Sequence, residues 1–201
     1  MREPSHGDGS GPAAARARSA DLPRQSRTIL ITGVMAAGKS TVAQLVAGRL
    51  PRSVHLRGDA FRRMIVNGRA ELGKALSDEA MTQLRLRYEL AAGAARGYLR
   101  AGFDVVYQDV VLGVLLPEVL RLHARPLHVV VLCPAPAAVA AREAARAKVG
   151  YRGISVADLD RALREETPRV GLWLDSTDWT AEETADRILA GLEAASVGAS
   201  A

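Results

Sequence analysis

The sequence has little cysteine and lysine and no long apolar run, and these absences limit what the protein can be. Cys133 is the only cysteine, so no disulfide can form within the chain, and this favours a reducing, cytoplasmic location. Lysine occurs only at Lys39, Lys74 and Lys148, and arginine supplies the rest of the positive charge. No segment approaches the ~20 uninterrupted apolar residues of a membrane-spanning helix, so we expect no membrane partner.

The charge and length of the chain are those of one weakly basic domain. The 27 basic and 22 acidic residues give a net charge of +5, which suits an anionic nucleotide and does not indicate a nucleic-acid partner. Residues 1–25 are rich in Gly, Pro, Ala, Ser and Arg and are predicted to be a disordered leader. The domain is predicted over 26–196, followed by a flexible tail at 197–201.

A glycine-rich segment matches the phosphate-binding loop G-x-x-x-x-G-K-[ST]. Its residues are Gly33, Val34, Met35, Ala36, Ala37, Gly38, Lys39, Ser40 and Thr41. The two glycines let the backbone take positive φ and approach phosphate groups closely. Exposed backbone N–H groups, a helix N-terminus and Lys39 would bind a triphosphate, and the Ser40 hydroxyl would ligate Mg²⁺.

The segments on either side have the patterns that such a loop requires. Residues 27–32 form a short apolar, β-branched run, which is typical of a buried parallel strand. After the loop, Val42, Leu45, Val46 and Leu50 recur at helical spacing, and Pro51 ends the pattern. We therefore interpret the match as a nucleotide site rather than a chance glycine-rich turn.

Apolar runs alternate with helical patterns along the chain, which predicts the α/β class with a parallel sheet. The predicted strands cover 27–32, 53–57, 103–108, 127–133 and 170–174. The predicted helices cover 39–49, 59–66, 78–101, 114–124, 135–147, 155–166 and 180–195. Ligands of open α/β sheets bind beyond the carboxyl ends of the strands, so the residues that follow strands are the candidates for chemistry.

Carboxylates follow two of the predicted strands. Asp59 comes after strand two, where its carboxylate can accept a proton from an incoming hydroxyl or hold a water on Mg²⁺. The alternative for Asp59 is a helix N-cap. Asp109 comes after strand three, where it would bind Mg²⁺ through a water, and the alternative there is a turn aspartate.

The helix after strand four carries two arginines at a spacing of four residues. Arg142 and Arg146 therefore share one helix face, and glycines flank Tyr151 and Arg152 shortly afterwards, as in a mobile lid. Arginine on a closing lid stabilises the charge of a transferring phosphoryl group. The alternative is a solvated basic face in an arginine-rich protein.

Together these motifs resemble a family of small P-loop kinases that includes chloramphenicol 3-O-phosphotransferase, zeta toxins, gluconate kinase and adenylylsulfate kinase. The resemblance covers residues 27–195 as an order of motifs. It rests on the loop at 33–41, the segment 58–62, the start of the lid helix and the ending at 174–183. The chain is most similar to the chloramphenicol phosphotransferase-like group.

The resemblance implies a three-layer α/β/α P-loop kinase fold, with a five-stranded parallel sheet and a small helical lid at about 142–166. It implies ATP and Mg²⁺, a small-molecule hydroxyl as acceptor, and Asp59 as the base. In the expected mechanism, Lys39 and the loop hold ATP, while Arg142 and Arg146 close over the transferring phosphate. Arg142 also belongs to the expected ATP-binding set.

The acceptor is left open by the sequence, as is the oligomeric state. Arg62 and Arg63 are candidates for an anionic acceptor, and a solvated helix face is equally consistent with them. Residues 64–77 match no acceptor motif, yet this segment and the helix at 78–101 are where acceptor contacts are expected. An antibiotic hydroxyl, with antibiotic resistance as the role, a nucleoside, a sugar and an amino sugar all fit. For Trp179 we favour a core or edge role over base stacking.

Three other functions share part of this pattern. A GTPase switch would carry N/T-K-x-D after strand four, where this chain has Leu132-Cys-Pro-Ala-Pro-Ala. A mechanical ATPase would end an apolar strand in Asp-Glu, whereas strand three here ends in Gln108-Asp109-Val110. A nucleotide or nucleoside kinase has the same core, so substrate profiling alone separates it from other small-molecule kinases.

Overall fold

Five apolar segments form one parallel sheet in the computed structural model, which describes residues 25–73, 76–145 and 155–198. The strands are β1 (Thr28–Gly33), β2 (Ser53–Arg57), β3 (Asp104–Gln108), β4 (Leu127–Leu132) and β5 (Leu172–Leu174). Their order across the sheet is β2-β3-β1-β4-β5, with every neighbouring pair parallel. Every residue of β1, β3 and β4 is buried, because helices cover both faces of a parallel sheet.

The helices follow the strands as the sequence predicts. They are α1 (Lys39–Gly48), α2 (Asp59–Arg63), α3 (Asp78–Arg100), α4 (Leu115–Leu122), α5 (Pro136–Ala144), α6 (Val156–Arg161) and α7 (Ala181–Ala190). Contacts of α1 with α7 define one layer, and contacts of α3 with α4 define the other, while α1 and α3 both pack on β2 and β3. The predicted α/β class and the five-stranded, three-layer arrangement are confirmed.

Several predicted boundaries differ for local reasons. The last strand begins at Leu172 instead of 170, because Gly171 has a φ of 75°, which is not an extended conformation. The predicted helix at 155–166 changes at Ala162 into a short π-helical segment, Ala162–Glu166. The Thr167 hydroxyl donates to the Ala162 carbonyl oxygen at 2.8 Å at the end of that segment.

The ends of the predicted domain are only partly described. Residues 1–24 of the predicted leader, residues 146–154 of the predicted lid and the last three residues lie outside the described part. Val197, which we assigned to the tail, is 7% exposed and packs in the core. Its N–H donates to the Leu127 carbonyl oxygen at 2.9 Å, so the domain extends beyond the predicted boundary. Within the described residues, no helix is both long and apolar enough to cross a bilayer.

The register of the sheet brings the candidate residues to one edge. Gly33 of β1 lies opposite Leu132 of β4, and Gln108 of β3 lies opposite both Ile31 and Arg57. The phosphate-binding loop therefore leaves the central strand, with the end of β3 on one side and the end of β4 on the other. The carboxyl ends of parallel strands are where α/β proteins bind ligands.

A buried histidine at the end of α4 predicts a pH-dependent stability. The His123 ring is stacked on Tyr107 at 5.1 Å between centroids, and both its nitrogens are buried without a hydrogen-bond partner among the described residues. Burial, and then the nearby charge of Arg96, lower the pKa of His123 from 6.5 to about 4. The unfolded chain thus binds more protons between these values, so stability is complete above pH 6.5 and is lost as the pH falls towards 4.

We expect this loss to reach roughly 3 kcal/mol in the free energy of unfolding. Urea unfolding at several pH values measures it, with His123→Phe as the comparison because phenylalanine keeps the stack but does not titrate. The variant should show a flatter pH dependence than the wild type. Parallel curves for the two proteins would contradict the assignment to His123.

Candidate active site

The loop between β1 and α1 has a backbone shape that requires glycine at its first position. Gly33 has a φ of 143°, and a Cβ on this residue would overlap the Leu132 carbonyl oxygen of β4. Gly38, with a φ of 89°, and Ala36, with a φ of 56°, also take positive values. Turns of this kind direct consecutive backbone N–H groups into one concavity, which favours an anion.

The first turn of α1 is left available for such an anion. It contains no acidic residue and has no side-chain cap, whereas α3 and α7 each have both. The buried Lys39 ammonium donates to the Val34 carbonyl oxygen at 2.6 Å, so the lysine folds back across the loop. Free helix N–H groups, a positive dipole end and a lysine are the groups that fit a phosphate chain.

Gln108 at the end of β3 links the loop to the segment that carries Asp59. The Ser40 hydroxyl donates to the Gln108 Oε1 at 3.3 Å, and the Gly58 N–H donates to the Gln108 carbonyl oxygen at 3.1 Å. Ser40, predicted as a metal ligand, therefore lies near the start of α2. Sequence reasoning did not assign a role to Gln108, because a single glutamine at a strand end carries no motif.

Asp59 is the first residue of α2, with its side chain 42% exposed. Its carboxylate pairs with Arg63 at 3.2 Å and lies 3.9 Å from Arg57. No side-chain capping bond forms at the start of α2, so Asp59 does not act as the N-cap that was its alternative role. A partly exposed carboxylate on the loop side of the sheet can receive a proton from a bound alcohol, and this role stays a prediction.

Asp109 is buried in an ion pair that the sequence did not reveal. Arg87 of α3 donates to both carboxylate oxygens, to Oδ2 at 2.9 Å, and both side chains are 2% exposed. The Tyr107 hydroxyl and the Val110 N–H also donate to this carboxylate, at 2.9 and 2.7 Å. A Cβ on Gly58 would overlap it. Asp109 thus joins α3 to the sheet, and its predicted water-mediated contact with Mg²⁺ stays untested.

Removing one partner of this pair should strongly destabilise the fold. Arg87→Leu leaves the Asp109 carboxylate buried without its counter-charge, which costs about 3 kcal/mol or more of unfolding free energy. Urea unfolding of the purified variant measures the loss. Arg85→Leu is the matched control, because Arg85 lies two residues away on α3 and pairs with Glu118 on the surface. Equal small losses in both variants would contradict the importance of the buried pair.

Arg142 projects from α5 towards the other side of the loop. Its guanidinium donates to the carbonyl oxygens of Ser176 and Thr177 at 3.1 and 3.2 Å. It borders a cavity of about 220 Å³, which is lined by Ala37, Gly38, Thr41, Val42, Arg142, Ser176, Trp179, Ala181 and Thr184. Of the loop residues, Ala37, Gly38 and Thr41 therefore line this cavity, whereas Val34 is buried in the core.

Trp179 belongs to the site more closely than the sequence indicated. Its indole lines the cavity beside the loop, and the Arg187 guanidinium lies 4.1 Å from the ring centroid. The other tryptophan, Trp173, contacts Arg169 at 4.0 Å and does not line the cavity. The sequence alone does not show which tryptophan lies at the cavity, because only the turn after β5 brings Trp179 back to the phosphate-binding loop.

The remaining predicted cations occupy different positions. Arg63 pairs with Asp59, whereas Arg62 donates to the Ala70 carbonyl oxygen and holds the predicted acceptor segment. Arg146 lies outside the described residues. Arg164, which the sequence did not single out, donates to the carbonyl oxygens of Pro134 and Cys133 at 2.9 and 3.4 Å, at the end of β4. It is an additional cation on the lid side of the site.

No group of three or more His, Cys, Asp or Glu side chains suited to a metal is found in the described part of the chain. The predicted metal ligands Ser40 and Asp109 both lie at the carboxyl end of the sheet, on either side of Gln108. Ser40 is half-buried at the start of α1, beside the N–H groups that fit phosphate oxygens. Arg87, Tyr107 and Val110 already donate to the Asp109 carboxylate, so Ser40 is the donor that fits a magnesium ion held mainly by phosphate oxygens.

Residues 29–167 match the AAA domain family, and the chain belongs to this family. The fold is similar to that of the adenylylsulfate (APS) kinase from Mycobacterium tuberculosis, solved in complex with AMPPNP and APS. The two share 22% identity with a TM-score of 0.63, over 85% of this chain and 99% of that one. A sugar kinase from Janibacter sp. HTCC2649 is 21% identical with a TM-score of 0.59, over 85% and 96%.

A third similar structure is the tunicamycin resistance protein from Deinococcus radiodurans, with 16% identity and a TM-score of 0.62 over 86% and 99% of the two chains. No curated protein matches the chain. The predicted resemblance to P-loop small-molecule kinases is confirmed by the family and by these structures. At these identities the structural similarity establishes the fold.

Proposed function

We propose that this protein transfers the γ-phosphate of ATP to a hydroxyl group of a small molecule, with Mg²⁺ as cofactor. The observation that carries the proposal is the placement of Asp59 and the phosphate-binding loop at one sheet edge. Gln108 connects them, through its side chain to Ser40 and through its carbonyl oxygen to Gly58. A phosphate site and a partly exposed carboxylate on the same edge are the two parts that a hydroxyl kinase requires.

The nucleotide would be held from two sides of the loop. The N–H groups of the loop and of α1, together with Lys39, fit the phosphates, and Ser40 is the expected ligand of the metal. The cavity beside Thr41 would take the base and sugar, with the Trp179 indole as one wall. Bound ATP supplies the transferable phosphoryl group.

The chain's own residues would then position the acceptor and its proton. The Asp59 carboxylate would orient the alcohol and take its proton as the new oxygen–phosphorus bond forms and the bond between the γ-phosphorus and the leaving ADP breaks. Arg142, with Arg146, would stabilise the charge on the transferring group. Positioning and electrostatics supply nearly all of the rate in such a site.

The proposal is tested by a screen of hydroxylated small molecules for acceptor-stimulated ADP release with ATP and Mg²⁺. The screen should include chloramphenicol, tunicamycin, sugars, nucleosides and simple alcohols, because the antibiotic specificity is itself part of the proposal. Mass spectrometry of each positive reaction identifies the phosphorylated product. A product that carries one added phosphoryl group is the expected result.

The same screen distinguishes the alternatives. Tight binding of GTP without acceptor-stimulated turnover would contradict the kinase assignment and favour a nucleotide switch. Turnover confined to nucleosides or nucleotides would make the protein a nucleoside or nucleotide kinase. The segment after β4 carries Leu132-Cys-Pro-Ala-Pro-Ala in place of N/T-K-x-D, which argues against guanine specificity.

A further inference from the structure

A second cavity of about 140 Å³ lies between α3, the segment after β3 and the lid. Six leucines contribute to its lining, and we call it the leucine pocket: Leu72, Leu76, Leu84, Leu112, Leu115 and Leu159. They come from four separate parts of the chain, including the predicted acceptor segment and α6. Arg87, Tyr88, Val110 and Ala162 are the other lining residues in the described part of the chain.

The polar groups in this lining are engaged with the protein. The Arg87 guanidinium is held by the buried Asp109 carboxylate, and the Tyr88 hydroxyl donates to the Val110 carbonyl oxygen at 2.9 Å. A sugar placed here would bury several hydroxyl groups against leucine side chains. Burying a hydroxyl without a hydrogen-bond partner costs about 1–3 kcal/mol each, so the lining selects against sugars.

The leucine pocket lies next to the proposed reaction centre. Val110 and Leu112 flank Val111, which exchanges two hydrogen bonds with Thr32, the residue before the phosphate-binding loop, at 2.9 and 3.0 Å. On the other side, Arg87 lines the pocket and pairs with Asp109, whose carboxylate packs directly against Gly58, the residue before Asp59. The lining is thus linked through neighbouring residues to the strand that leads into the loop and to the residue before the proposed base.

We infer that the leucine pocket binds the body of the acceptor, and that the acceptor is an alcohol bearing an unsubstituted apolar group about the size of a benzene ring. This inference rests on the proposed kinase activity. An apolar protein cavity of about 150 Å³ is sufficient to take up benzene, so a group of this size fits the pocket of about 140 Å³. The hydroxyl projects out of the pocket towards Asp59, where polar contacts are available.

The inference is tested by binding and turnover with two probes, 2-phenylethanol and D-glucose. Titration calorimetry with the full chain should show saturable binding of 2-phenylethanol and none of glucose. Leu159→Trp, which fills the pocket, and Leu112→Asn, which makes its wall polar, should each weaken this binding at least about tenfold. Leu189→Ala is the matched control, since Leu189 is a half-buried leucine on α7 away from the pocket. Melting curves confirm that each variant is folded.

The outcomes separate this inference from the kinase assignment. Phosphorylation of 2-phenylethanol but not of glucose, lost in both pocket variants and kept in Leu189→Ala, supports both. Phosphorylation of glucose alone, or binding of 2-phenylethanol that neither pocket variant weakens, overturns the apolar-acceptor inference and leaves the kinase assignment standing. ATP binding with no phosphorylated product from any alcohol overturns the kinase assignment and, with it, the acceptor role of the pocket.

Discussion

Asp59→Asn should lower the turnover number of the phosphoryl transfer by about 10²–10⁴. Asparagine keeps the size and shape of the side chain but cannot accept the acceptor proton at neutral pH. The position is half-exposed and its pair with Arg63 is at the surface, so the fold should change little. Steady-state rates with the acceptor found in the screen measure the effect, together with the affinity for ATP, which should stay close to that of the wild type.

Asp186→Asn is the control for this change. Asp186 is also an exposed carboxylate, and it pairs with Arg49 at 3.2 Å on the α1–α7 side of the sheet. Its amide variant should retain the wild-type rate. Near wild-type turnover in Asp59→Asn would remove the assignment of Asp59 as the base, while leaving nucleotide binding at the loop intact.

Lys39→Ala should reduce turnover by about 10²–10⁴ as well, and it should also weaken ATP binding. The ammonium lies inside the loop, held at 2.6 Å from the Val34 carbonyl oxygen, where it would contact the phosphates. Alanine removes the one side-chain cation that the loop itself supplies. The increase in melting temperature on adding ATP and Mg²⁺ measures the binding, and acceptor-stimulated ADP release measures the rate.

A variant with the same loss of charge far from the loop separates local from global effects. Arg100 is exposed in the last turn of α3, which leads into β3 at the opposite edge of the sheet. Arg100→Ala should show the wild-type thermal shift with ATP. If Lys39→Ala kept that shift and the wild-type rate, the loop would not be the nucleotide site.

The parts of the fold and site that are local in the sequence could be predicted from it. The loop is a contiguous motif between an apolar strand and an amphipathic helix, so its position and its role in the fold follow from nine residues. Asp59 could be placed because a parallel strand must end at the same edge as its neighbours. The alternation of apolar runs with helical patterns was sufficient to predict the order of strands and helices along the chain.

The parts that depend on long-range packing could not be predicted. Helical spacing places Arg87 on the buried face of α3 with Leu84 and Ala91, but it does not identify Asp109, 22 residues away, as the partner. Trp179 reaches the loop only because the chain turns back after β5. The end of β5 and the π-helical segment depend on single backbone conformations, at Gly171 and around Ala162, that periodicity does not encode.

The Arg87–Asp109 ion pair, of which Arg87 lines the leucine pocket, also limits which substitutions this region can accept. Exchange of either charge alone leaves the other stranded in the interior, so the Arg87–Asp109 pair can be replaced only by two simultaneous changes. The leucines around it can change one at a time, because exchange of each for another apolar residue of similar volume costs little stability. With the acceptor role proposed for the leucine pocket, laboratory evolution towards new alcohols should therefore accumulate substitutions at the six leucines and leave Arg87 and Asp109 unchanged.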